Sequence, residues 1–177
     1  VLDTFLIAEI WRMRLARGRF SPMFYDSAGR ATSWLYQMVC PLSGDGPNIG
    51  ANDGSHLLQL TESCYRDFRP SVQLASNLFE GRLAYSSTGL WDPHLGWMGI
   101  VNKETKPSQY VNCDYDSGGY KILRSTDATV IFRFPKFRYR PSQADAMHID
   151  LWVNGTNLLG DAGSYSYNSI PDLSGYF

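Results

Sequence analysis

Met147-His148-Ile149-Asp150-Leu151-Trp152-Val153-Asn154-Gly155-Thr156 carries the two signals that decide the class of fold. The run to Val153 is β-branched and aromatic, a composition that suits a pleated surface. Asn154-Gly155 then supplies the two positive-φ residues of a type I′ hairpin turn. With Thr156 the same letters also form an N-glycosylation sequon, although the flanking apolar runs already require a turn there. Working back along the run at period two, Asp145, Met147, Ile149 and Leu151 fall on one face. Ala146, His148, Asp150 and Trp152 fall on the other. A proton carrier, an acceptor and an aromatic plane on one face suit a sugar-binding surface, and a lone strand His also serves simply as structure. Tyr120–Leu123 and Ala128–Phe134 read as two more strands, separated by Gly, Pro, Asn and Asp.

Upstream of about residue 95 the period changes to that of a helix. Leu2, Leu6, Ile10 and Met13 recur at three- and four-residue steps within Val1–Leu15, and the apolar content of that segment predicts a helix covered on most sides. Gly18 and Ser21-Pro22 are read as its end. A second helix is expected over Gly29–Val39. A third starts at Pro70, carries Val72, Leu74, Ala75, Leu78 and Phe79, and stops at Gly81. Helices followed by strands make the chain α+β, with a crossover near residues 90–100. The expected division is a helical part over residues 1–95 and a sheet part over 96–177, each truncated because the chain opens inside a helix and stops after strand-like segments.

Composition narrows the partners. The 177 residues are 44% hydrophobic and 19% charged, with 16 Lys+Arg against 17 Asp+Glu, so the chain is neither disordered nor built mainly for a phosphate backbone. No apolar run is long enough to span a membrane. Cys40, Cys64 and Cys113 are odd in number, far apart and without a CxxC pair, which argues against a disulfide scaffold or zinc ribbon. Aromatic residues make up 14%.

Three other stretches could carry chemistry. Pro47 to His56 places Asn52, Asp53 and His56 on a glycine-rich loop, which either presents them to a ligand or is a turn held by its own Asn and Asp side chains. Tyr65-Arg66-Asp67-Phe68-Arg69-Pro70 sets two guanidinium groups around one carboxylate. Either one Arg is fixed while the other takes an anion, or the cluster is an interhelix salt bridge. Phe132 to Arg140 alternates aromatic with basic residues, through Arg133, Lys136, Arg138 and Arg140. It is followed by a tail whose only charges are Asp145, Asp150, Asp161 and Asp172. The basic run could face a polyanion or be the solvated side of a half-buried strand.

Pro141 to Trp152, then Gly155, Asn157-Leu158 and Asp161-Ala162-Gly163-Ser164-Tyr165-Ser166-Tyr167-Asn168, resembles the heparinase II/III-like family. Asn48 to Gly54 and Tyr65 to Ser71 fit the same resemblance, closest to the branch associated with bacterial surface polysaccharides. It implies the end of an incomplete α/α toroid followed by the start of an antiparallel β-sandwich, and lyase cleavage of uronic-acid polysaccharides of the alginate or glycosaminoglycan kind. A periplasmic or extracellular setting is the family's usual one. In such a reaction a base removes the proton beside the uronate carboxylate, a neutralising group stabilises the anion, and an acid protonates the departing oxygen.

The resemblance places the principal base upstream of Val1. Its lyases also open the β-domain strand with a His-x-His pair, for which this chain has Pro141 and Gln143. Proline carries no proton, and an amide is a poor zinc ligand. No cofactor is therefore expected, and Asp161, which matches an acidic metal-binding position of some members, would be a ligand only if a metal site exists. His148 stands where the family commonly has a small residue, and its catalytic role is a hypothesis from this sequence. The expected contacts to an acidic polysaccharide are Asn52, Asp53, His56, Arg66, Arg69, Gln143, Asp150 and Trp152. The alternative is a noncatalytic glycan-binding or assembly protein that keeps the fold. Hydrolysis by Asp145 and Asp150 is disfavoured, because a separation of five sets them on opposite faces of one strand.

Overall fold

The computed structural model describes residues 1–49, 56–101, 107–136 and 145–163. The chain is α+β, with its helices first and a five-stranded antiparallel sheet after them. It forms two compact units. One comprises Val1–Val39 and His56–Tyr110, the other Cys40–Ser55 and Val111–Phe177.

In the helical unit, α1 spans Leu2–Arg14. Leu2, Leu6 and Ile10, four residues apart, are buried against Leu74, Ala75 and Leu95. Burying each such side chain contributes about 1.5–3 kcal/mol. Only this stripe is covered. Trp11, Met13 and Leu15 are exposed, contrary to the expectation of a helix enclosed on most sides, because α1 packs on its neighbours through one face. Its one buried acid, Glu9, is gripped by Arg12 through two 2.8 Å hydrogen bonds and receives a third from the Tyr25 hydroxyl.

Helix α2 spans Pro22–Met38 and so begins seven residues earlier than expected. Ser21-Pro22 opens this helix, because a first-turn proline has no hydrogen bond to lose and its φ is already helical. Helix α3, Arg69–Ala75, runs on into a π-helical turn, Ser76–Glu80, and ends at Gly81 with φ 69°, the left-handed stop anticipated for it. Buried Gln73 ties the following loop to α3. Its Oε1 accepts from the Ala84 and Tyr85 amides, and its Nε2 donates to Asp92 Oδ1 at 2.8 Å. The short α4, Pro93–Met98, was not anticipated, since six residues give too little periodicity to read. No described helix is long and apolar enough to cross a membrane.

The sheet is a meander of β1 Cys113–Tyr115, β2 Tyr120–Arg124, β3 Ala128–Arg133, β4 Ile149–Val153 and β5 Thr156–Leu159. Each strand pairs antiparallel with the next. Asn154 and Gly155 have φ of 48° and 81°, as the type I′ turn requires. Residues directly opposite share a face. The register Ile122↔Ile131↔Asp150 therefore defines one face, which also holds Tyr120, Arg124, Thr129, Arg133 and Trp152. At the β4–β5 end, a Cβ on Gly155 would lie 3.0 Å from Leu42, and the Asn48 amide donates to the Asp161 carbonyl. The loop from Cys40 thus rests on this hairpin.

Gly119 closes the β1–β2 turn with φ 69°, and a Cβ there would approach Pro135 Cα at 2.6 Å and the Phe134 carbonyl oxygen at 2.7 Å. Gly119→Ala combines a disfavoured conformation with a backbone clash and should destabilise the sheet unit by at least about 1–3 kcal/mol. Urea unfolding followed by tryptophan fluorescence measures this; an unchanged midpoint contradicts the turn geometry.

Candidate functional site

The sheet face that begins with the Ile122–Ile131 pair becomes polar toward β4. Asp150 has no exposure to water, and its Oδ1 accepts a 2.7 Å hydrogen bond from Asn157 Nδ2. Its Oδ2 lies 3.6 Å from His148 Nε2, within ion-pair range but too long for a hydrogen bond. His148 keeps 18% of its side-chain exposure. Trp152, 5% exposed, is buried beside the same carboxyl group. Asp150 Oδ2, His148 Nε2 and Trp152 Nε1 are each sealed from solvent and make no hydrogen bond. Burial pushes the Asp150 pKa above the usual carboxylate range, against the Trp152 indole, His148 and Asn157, which all favour the ionised form.

The neighbouring end of the face is built on Arg133. Its Nη1 donates to the Tyr120 hydroxyl at 2.9 Å and lies 3.0 Å from Asp145 Oδ2, and the guanidinium stands 5.2 Å from the Tyr120 ring centroid. The Arg133 amide donates to the His148 carbonyl, which joins this cluster to the start of β4. Burial raises the Tyr120 pKa, with Arg133 opposing. Arg133 is thus engaged within its own sheet. The strand stops there, so the extended aromatic–basic strand read from the sequence ends early, and residues 137–140 lie outside those described.

Asp145 corrects the strand reading. Met147 has φ 64°, which interrupts the alternation before β4 begins at Ile149. Asp145 consequently reaches Arg133, on the same face as Asp150, where the sequence had set the two carboxylates on opposite faces. They still make a poor hydrolytic pair, since one is neutralised by Arg133 and the other is sealed off.

Three more of the expected site residues, His56, Arg66 and Arg69, belong to the helical unit. Arg69 grips Asp67 with two parallel hydrogen bonds of 2.8 and 2.7 Å and lies 4.4 Å from the Trp91 ring centroid. Beside it Tyr36, Tyr85 and Tyr110 form an aromatic cluster, in which burial raises the Tyr85 pKa. Arg69 is thus held by the carboxylate two residues before it, a local pair and not the interhelix bridge considered from the sequence, and Arg66 also has a partner. His56 packs its ring on Tyr65 and Phe68. A separate polar cleft of about 380 Å³ is lined by Ser33, Tyr36, Gln37, Arg82 and residues 107–109. Asn52, Asp53 and Gln143, with Pro141, lie outside the described residues.

The donor set for the family's structural metal was tested at Asp161. Its Oδ1 accepts from the Gly163 amide at 2.6 Å, and no three His, Cys, Asp or Glu side chains gather around a common point among the described residues. The described residues therefore offer no three-ligand donor set for a metal at Asp161.

The structure thus brings His148, Asp150 and Trp152 together and adds Tyr120 and Asn157, which the sequence reading had not singled out for a site, and Arg133, which it had read only as part of a basic run that could face a polyanion. Asn157 was within reach of it, because counting back from the Asn-Gly turn sets it opposite Trp152, as observed. Arg133 was not, because the residues joining β3 to β4 do not fix their register.

Two outcomes follow from the buried carboxyl group. Asn157→Ala leaves Asp150 Oδ1 unpaired and should cost about 1–3 kcal/mol of stability. Because the folded pKa of Asp150 is raised, the folded chain holds a proton at pH values where the unfolded chain has released it. That contribution to stability is present below the ordinary carboxylate pKa and lost as pH rises through the folded value. Asp150→Asn, which cannot ionise, should therefore unfold at higher urea than the native chain at pH 7, with the gap closing toward pH 4. A gap that widens on acidification contradicts the assignment.

Comparison with curated proteins and with solved structures returned no match. Residues 113–177, the sheet-bearing part of the chain, match the family model described as heparinase II/III-like, C-terminal.

Proposed function

We propose that the chain is part of a polysaccharide lyase that cleaves uronic-acid glycans by β-elimination, with His148 as a proton-carrying group. The observation that supports this most is the pairing of a partly exposed imidazole with a sealed carboxyl group 3.6 Å away. An imidazole exchanges protons near neutral pH, and a neighbouring acid both orients it and stabilises its charged form. In the reaction the C5–H bond adjacent to the carboxylate breaks and its proton passes to a base. The electron pair forms the C4=C5 double bond as the C4–O bond breaks, and the leaving oxygen takes up a proton. His148 suits either proton transfer. The family match over the sheet supports a glycan as the substrate class. The helices before it fit the end of a toroid, and an acidic polysaccharide is the proposed partner.

A second reading, a glycan-binding protein without turnover, is favoured by Pro141 and Gln143 at the positions of the family's His pair.

The test is the full-length protein incubated with several uronate polymers while ultraviolet absorbance reports unsaturated product. Absorbance should rise with at least one polymer, and His148→Ala should slow it about 10²–10⁴-fold. No rise with any polymer sinks the lyase reading. Binding of the polymer that is indifferent to His148→Ala supports the second.

A further inference from the structure

Two of the sealed atoms on the polar face that make no hydrogen bond, Asp150 Oδ2 and His148 Nε2, are not independent. Asn157 Nδ2 occupies Asp150 Oδ1 at 2.7 Å, which turns the other oxygen, Oδ2, toward His148 Nε2. Buried polar atoms without partners are rare because each forfeits its hydration. Oδ2 and Nε2 face one another across 3.6 Å, and a displacement of about half an ångström in either ring or carboxyl group closes a hydrogen bond between them. An ionised carboxylate only accepts, so the nitrogen facing it must carry the proton. Nε2 is the sealed nitrogen, and the 18% of the side chain that remains exposed leaves Nδ1 as the nitrogen open to a ligand.

We propose that Asp150, oriented by Asn157, holds neutral His148 with its proton on Nε2, so that Nδ1 is the nitrogen that meets the substrate. This deepens the reading of His148 as the proton carrier and rests on it for its functional meaning. Asp150 and Asn157 are then positioning residues. Asp150 has no exposure and does not itself touch a ligand in this arrangement. The second-residue hydrogen bond that fixes which imidazole nitrogen reacts is a general device of histidine chemistry.

The chain has three histidines, which makes the experiment compact. His94 is an internal standard of the opposite kind, because its Nε2 accepts from the Leu60 amide at 3.1 Å and its proton must sit on Nδ1. Long-range ¹H–¹⁵N spectra of the 177-residue chain near pH 8, above the ordinary imidazole range, separate protonated from unprotonated ring nitrogens. His148→Gln assigns the signal. The native chain should show His148 protonated on Nε2 and His94 on Nδ1.

Asp150→Asn supplies the decisive contrast. With Oδ1 still held by Asn157, the amide presents an NH₂ group where Oδ2 was, and it donates to His148 Nε2. The His148 tautomer should invert, with an excess of roughly tenfold in each direction from one good hydrogen bond at each. In Asp150→Asn combined with Asn157→Ala the amide loses its fixed orientation and the inversion should weaken. Unchanged backbone amide signals of β2 and β3, in the same unit as the substitutions, certify that each variant is folded. A native His148 protonated on Nδ1, or a tautomer indifferent to Asp150→Asn, overturns the proposal. The readout needs no turnover, so its failure is separate from failure of the lyase reading.

Discussion

A carboxyl group with no access to water must find partners inside the protein, and Asp150 imposes that constraint on the sheet. It is the second residue of β4, opposite Ile131, where an apolar residue would complete the Ile122–Ile131 row. Placing an acid there recruits Asn157 from β5, draws His148 to one side and fixes Trp152 at the other. Removing an acid's partners while keeping it buried is more damaging than replacing it outright. Hence Asn157→Ala, which leaves the acid buried and short of a partner, should cost stability that Asp150→Asn does not, although Asn157 is itself exposed in β5.

The Arg133–Asp145 pair solves the same problem differently. Both groups are nearly buried and the Asp145 carboxylate is paired directly, with the Tyr120 hydroxyl accepting from the same guanidinium, while Arg133 Nε is left without a hydrogen bond. Asp150 is left with one oxygen pinned and one short of a bond. The asymmetry separates a structural ion pair from a group with chemistry in reserve. Arg69 and Asp67 in the helical unit belong to the first kind, with both carboxylate oxygens taken by one guanidinium.

Much of this was legible in the sequence, for identifiable reasons. The spacing of Leu2, Leu6 and Ile10 found α1, Gly81 marked the end of the third helix, and Asn154-Gly155 located the β4–β5 hairpin. Local rules failed where one residue can serve two elements or where tertiary contacts decide. Ser21-Pro22 can close one helix or open the next, and only packing showed that it opens α2. Strict alternation along residues 145–152 missed the positive φ of Met147, so the side of Asp145 was misplaced while those of His148, Asp150 and Trp152 were right. Trp152 looked like a stacking plane because composition shows which side a residue takes and not whether that side is open.

The central claim is that the polar face around Asp150 is where an acidic sugar is met. Adding trigalacturonate to the ¹⁵N-labelled chain and following the backbone amides tests it most directly. The account predicts saturable shifts centred on His148, Ile149 and the adjoining part of β3 around Arg133, lost in His148→Ala and absent with a neutral trisaccharide. Shifts confined to the helical unit, or equal shifts with the neutral sugar, would contradict it.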